Sequence, residues 1–111
     1  MQVILISENR NLFDAKIEIL IASKGIVVGG KGLAELLREI EESGSLRSAA
    51  KKMGMNYKRA WLKIKMAEAK AMVPLVERRR GRGGYVLSDE GKEFLRVYEE
   101  VESKLKDCGF I

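Results

Sequence analysis

The sequence contains no histidine, a single cysteine and a single proline. Lack of histidine removes imidazole acid–base catalysis and the usual histidine-containing zinc spacings, and Cys108 alone cannot close an internal disulfide. Long apolar runs are missing as well, none approaching the ~20 residues needed to cross a bilayer. The apolar opening Met1-Gln2-Val3-Ile4-Leu5-Ile6 lacks the basic flank, length and small-residue cleavage site of a secretory signal. A mature cytoplasmic protein with no membrane partner is expected. Gly29-Gly30-Lys31-Gly32 completes neither the G-x-x-x-x-G-K-S/T loop nor a dinucleotide fingerprint, so these glycines are assigned to a turn. With no nucleophile–base pair, metal set or phosphate loop, no enzyme, catalytic residue, cofactor or metal is expected.

What is present fits one modest domain: 111 residues, 46% hydrophobic and 33% charged, an ordinary balance for a globular fold. The net charge of +5 is unevenly spread. Residues 43–84 hold 12 basic side chains against only Glu68 and Glu77, a local excess of +10, while the remainder is acidic at −5. A continuous basic third marks a polyanion-facing side, with scattered solvated lysines as the plainer alternative.

The fold class expected is α+β, a winged helix-turn-helix with an N-terminal β-hairpin and a long C-terminal helix. In residues 1–30, Lys16-Ile17-Glu18-Ile19-Leu20-Ile21-Ala22 and Ile26-Val27-Val28 flank the breaker Ser23-Lys24-Gly25 and suggest a hairpin. Met1 to Ile6 offers a further strand or an exchanged arm, with a loop over residues 7–14. Residues 31–73 carry three helical patterns. Leu33, Leu36, Leu37 and Ile40 repeat at i, i+3, i+4, i+7, as do Leu46, Ala49, Ala50 and Met53 after the cap Ser45. Gly54 stops the second helix, Met55 sits in the turn and Asn56 caps a third over residues 56–72. Paired alanines let two helices joined by so short a turn approach closely.

On a helical wheel Tyr57, Ala60, Trp61, Ile64, Ala67, Ala71 and Met72 gather on one side. Lys58, Arg59, Leu62, Lys63, Met66 and Lys70 occupy the other, a cationic face with two apolar residues suited to phosphates, guanine acceptors and thymine methyls. A solvated basic helix is the bland alternative. Trp61 is assigned to packing; Tyr57 is left open between core and phosphate contact. Candidate base-reading residues are therefore Asn56, Tyr57, Lys58, Arg59, Leu62 and Lys63. Residues 74–87 form a second hairpin, Leu75-Val76-Glu77-Arg78 and Tyr85-Val86-Leu87 around an arginine-rich tip, with the composition of a wing. Its Arg78, Arg79, Arg80 and Arg82, with Ser45 and Arg47, are the candidate phosphate contacts; a flexible basic loop is the alternative. In residues 88–108, Ser88 caps a helix in which Phe94, Tyr98, Val101 and Leu105 form a narrow seam, expected to join two copies unless it packs at home with Leu95 and Val97.

Several motifs together resemble a known family: Gly44-Ser45, Ala49-Ala50-Lys51, Gly54-Met55-Asn56-Tyr57-Lys58 with Ala60-Trp61, Pro74-Leu75-Val76-Glu77-Arg78, the Gly81 to Gly84 wing, and Leu87-Ser88 with Gly91 and Tyr98. Over residues 32–105 the chain resembles the N-terminal DNA-binding domain of ModE-type molybdate-responsive regulators, itself similar to the LysR-type winged helix. The resemblance implies double-stranded DNA as partner, a homodimer, and DNA-facing residues around Tyr57, Lys58 and Trp61. Asn56 stands where that family usually has serine; either residue caps, so the helix is kept while base preference differs. Molybdate-sensing relatives carry it in a separate C-terminal domain, whereas this sequence stops at Ile111. Molybdate is therefore not expected, and any signal comes from another protein or is unassigned. The expected function is a sequence-specific transcriptional regulator; a sequence-nonspecific architectural protein and a protein-interaction module are the competing classes.

Overall fold

The computed structural model describes residues 2–4, 12–81 and 84–111, with side chains from Leu12 onward. Met1, the stretch 5–11 within the expected arm and loop, and the wing residues Arg82 and Gly83 lie outside the described residues. Among the described residues, three two-stranded antiparallel sheets and four helices are found. β1 (Gln2–Ile4) pairs with β2 (Ala15–Ile17), and β3 (Ile21–Ser23) with β4 (Ile26–Gly29). The long strand expected over residues 16–22 is thus divided between two sheets. Its second half is set by Lys24 and Gly25, both at positive φ (50° and 84°), which close a two-residue turn and pair Ser23 with Ile26. β4 then ends at Gly29, so residues 18–20 have no partner strand left in that hairpin.

α1 (Lys31–Ser43) buries Leu33, Ala34, Leu36, Leu37 and Ile40 and stops at Gly44, whose left-handed backbone (φ 95°) lets its N–H donate to the Ile40 carbonyl at 2.9 Å. α2 (Leu46–Lys52) is capped by Ser45, whose Oγ accepts from the Ser48 N–H at 3.0 Å. α3 (Tyr57–Ala71) is capped by Asn56, whose Oδ1 accepts from the Lys58 and Arg59 N–H groups at 2.8 and 3.4 Å. Leu46, Ala49 and Ala60 are completely buried where these helices cross, so the alanine pattern expresses close approach as expected. Met72 departs from the wheel. It is the left-handed C-cap (φ 59°) and lies 85% exposed, because the backbone turns away before its side chain can join the apolar side.

β5 (Val76–Arg78) and β6 (Tyr85–Leu87) make the wing, paired Val76 with Leu87, Glu77 with Val86 and Arg78 with Tyr85. α4 (Asp89–Asp107) starts at the cap Ser88, whose Oγ accepts from the Gly91 N–H and donates to the Pro74 carbonyl, tying helix start to wing start. Gly91 is required there: a Cβ would run into the Leu75 carbonyl. The core is built on Leu36, Leu37, Ile40, Leu46, Ile64 and Leu75, each buried side chain contributing roughly 1.5–3 kcal/mol of transfer free energy. Phe94, Leu95 and Tyr98 of α4 join it. That corrects the expected four-residue seam: Phe94 and Tyr98 are covered by their own chain, because the first half of α4 packs on α1 and on the β3 and β6 strands. Only Val101, 37% exposed, and half-buried Leu105 remain for a partner. Arg38 of α1 clamps the same helix, 2.8 Å from Glu99 and 3.8 Å from Glu102. Among the described residues no helix is long and apolar enough to cross a membrane.

Candidate nucleic-acid interface

One face of α3 is pinned to the core by Ala60, Ile64 and Ala67. Helical geometry then forces Lys58, Arg59, Leu62, Lys63, Met66 and Lys70 outward, and all six are exposed. Leu62 at 49% and Met66 at 62% exposure put apolar surface between the cations, where no packing need holds it. Arg59, Leu62, Lys63 and Met66 share a shallow depression with Gly54, Met55 and Asn56, so the turn and the helix present one continuous surface. Lys63 leans to the far side of it. Its ammonium comes within 2.9 Å of where a Cβ on Gly32 would stand, beside the first turn of α1, which suits it to the edge of the surface more than to its centre.

The candidate residues before α3 are partly occupied. Ser45 spends its Oγ on capping and donates to Ser48 Oγ at 2.9 Å. Arg47 is exposed, its guanidinium 4.7 Å from the centre of the Tyr57 ring. Tyr57 is half-buried and packs against the core, and the two side chains hold each other at the mouth of the turn. Trp61 also packs against the core, as expected.

In the wing, the Arg79 N–H donates to the Gly84 carbonyl at 2.8 Å and closes the hairpin. The Arg79 guanidinium donates to the Gly44 carbonyl at 2.7 Å, across to the α1–α2 turn. Arg78 lies over the Tyr85 ring at 5.8 Å, and Arg80 is exposed at the tip. The arginines expected to act alike therefore differ: two support the wing and one extends from it. Composition alone does not distinguish them.

Sequence reasoning also passed over Glu68. Its Oε2 accepts from the Leu75 and Val76 N–H groups at 2.7 and 3.3 Å, and its other oxygen lies 3.0 Å from Lys65. It holds the segment between α3 and β5 in place. The signal was available, since Glu68 is the lone acid in a basic helix just ahead of Pro74. Elsewhere, Lys52 is held above the ordinary lysine range by Glu39 at 3.0 Å, and Arg38 is raised through its hydrogen bond to Glu99. Burial moves the Tyr98 phenol upward too. All three belong to the α1, α2 and α4 side of the molecule.

Residues 33–92 match the family described as bacterial regulatory helix-turn-helix protein, lysR family. The chain belongs to this family. The matched stretch runs from the first buried leucine of α1 to the first turn of α4, so it takes in both helix-turn-helix and wing. Two ModE relatives are similar over 70 residues, 60% of this chain: the transcriptional regulator ModE of Haemophilus influenzae at 34% identity and the molybdenum transport protein ModE of Azotobacter vinelandii at 39%. The chain spans about a quarter of their length, 28% and 26% respectively. Among solved structures, the LysR family transcriptional regulator CbnR shares the fold with a TM-score of 0.55 at 22% identity, covering 70% of this chain and 26% of that one. The α+β winged helix-turn-helix read from the sequence is the lysR-family fold observed.

Proposed function

We propose that this chain reads double-stranded DNA sequence-specifically as a transcriptional regulator and has no catalytic role. The observation that carries the reading is the outward face of α3, which places Lys58, Arg59, Leu62, Lys63 and Met66 on one surface. Arg59, beside the N-cap and central to that surface, is the residue to pair with guanine O6 and N7; Leu62 and Met66 suit thymine methyls; Lys58 and Lys63 suit phosphates. The wing, led by Arg80, lies along the flanking backbone or minor groove, and Arg47 and Tyr57 meet the phosphate beside the turn. Two copies join through the second half of α4, around Val101 and Leu105, and read half-sites about 10 bp or a multiple apart. Such a regulator works in the cytoplasm.

Selection of bound sequences from a random duplex library tests this reading. A two-fold symmetric consensus is expected. Arg59→Ala should weaken the selected duplex by roughly 10- to 100-fold while sparing random DNA, and Arg80→Ala should weaken both and lower the salt slope by about one unit. No consensus, or equal losses on both duplexes with Arg59→Ala, favours sequence-indifferent binding instead.

A further inference from the structure

The wing has only three residues in each strand, too few for a hairpin to hold its own direction in water. Its base is fixed by Val76 and Leu87, both buried, and by Glu68 gripping the start of β5. The last register position before the tip is Arg78 opposite Tyr85. There the Tyr85 ring meets Trp61 of α3, with centroids 4.7 Å apart and planes inclined at 52°. Cations bracket the pair: Lys65 lies 4.3 Å from the Trp61 centroid and Arg78 5.8 Å from that of Tyr85. Tilted aromatic pairs at this separation, with ammonium or guanidinium groups over their faces, are attractive beyond the area they bury.

We infer that Trp61 and Tyr85 are positioning residues: they form a clasp that sets the angle of the wing against α3, so that helix and wing meet a duplex as one rigid unit. The inference rests on the DNA-reading proposal, to which it adds the device that joins the two contact surfaces. The clasp sits at the pivot, and Arg79, Arg80 and Gly81 lie beyond it toward the tip, so a small rotation at Tyr85 displaces Arg80 by more. A second tether, from Arg79 to the Gly44 carbonyl, holds the wing to the α1–α2 turn, and Glu68 holds the start of β5; the ring pair adds the contact with α3 at the register position next to the tip. Ordering the wing before binding spares the complex that entropic cost, so losing the clasp lowers affinity even though Tyr85 need touch no DNA.

The test is a double-mutant cycle on the full chain with the duplex recovered by selection, using Tyr85→Leu, Arg80→Ala and both together, with Tyr85→Phe as the conservative control. Melting curves establish that each variant is folded. Tyr85→Leu should weaken binding by about tenfold and remove most of the further loss due to Arg80→Ala, because a loose wing no longer delivers that arginine. Tyr85→Phe should restore both affinity and coupling. Equal losses from Arg80→Ala in the wild-type and Tyr85→Leu backgrounds overturn the clasp. Trp61 is the lone tryptophan, so its emission in the free protein is an independent readout. Tyr85→Leu should shift it to the red and speed amide exchange at Arg79, and Tyr85→Phe should change neither. If wild type binds no duplex, the DNA proposal fails while these two readouts still decide the clasp, with unchanged emission and exchange overturning it. Should Tyr85→Leu fail to fold, Trp61→Leu takes its place in the cycle and the exchange measurement, with the same outcomes.

Discussion

The two sides of the molecule use charge in opposite ways. Across α1, α2 and α4, five cations are answered by carboxylates, Arg38 by Glu99 and Glu102, Lys52 by Glu39, Lys31 by Glu35, and Arg96 and Lys104 by Glu100, while Arg47, Lys51, Lys92 and Lys106 have none within 4.0 Å among the described residues. On α3, Lys65 has Glu68, but Lys58, Arg59, Lys63 and Lys70 have no carboxylate within 4.0 Å among the described residues. A fold gains little from leaving like charges side by side, so an unanswered basic face is shaped by what it meets. Paired charges should therefore act on stability, and unpaired ones, Arg47 among them, on binding.

The sharpest attempt to break that division is Arg59→Glu. Binding to the selected duplex should fall on the order of 100-fold or more, with melting unchanged; a large loss of stability instead would show that Arg59 belongs to the fold. Glu68→Ala probes the exception. It leaves the Leu75 and Val76 N–H groups without their acceptor, so about 1–3 kcal/mol of unfolding free energy should disappear in a denaturant titration, although the face becomes more cationic. Asn56→Ala touches both sides at once: loss of the cap should cost ~1 kcal/mol of stability, and specific binding should weaken with the fraying of the first turn that carries Lys58 and Arg59. Smallest should be Arg38→Gln. Its partly exposed ion pairs are worth at most about 1 kcal/mol in unfolding and should leave duplex affinity unchanged.

The same division governs how much could be read in advance. Caps and helical faces depend on residues three or four apart, so Ser45, Asn56 and Ser88, the inward row of Ala60, Ile64 and Ala67, and the glycine-tipped wing were legible in the sequence. Features made by distant partners were not. The strand over residues 16–22 divides because β4 runs out, Phe94 and Tyr98 turn inward because the rest of the domain covers them, and Arg79 reaches a carbonyl 35 positions away. The candidate DNA face was legible because its residues share one helix. Which arginines extend from the wing and which brace it depends on Arg79 reaching the α1–α2 turn and Arg78 lying over the Tyr85 ring of the facing strand, and composition does not encode either.

The most direct measurement is competition at physiological salt between the selected duplex and unrelated DNA of equal length, read with the full chain. Sequence-specific recognition predicts a preference of roughly 10³-fold or greater for the selected site. Equal competition by the two duplexes would contradict it and leave the basic face as a nonspecific DNA-binding surface.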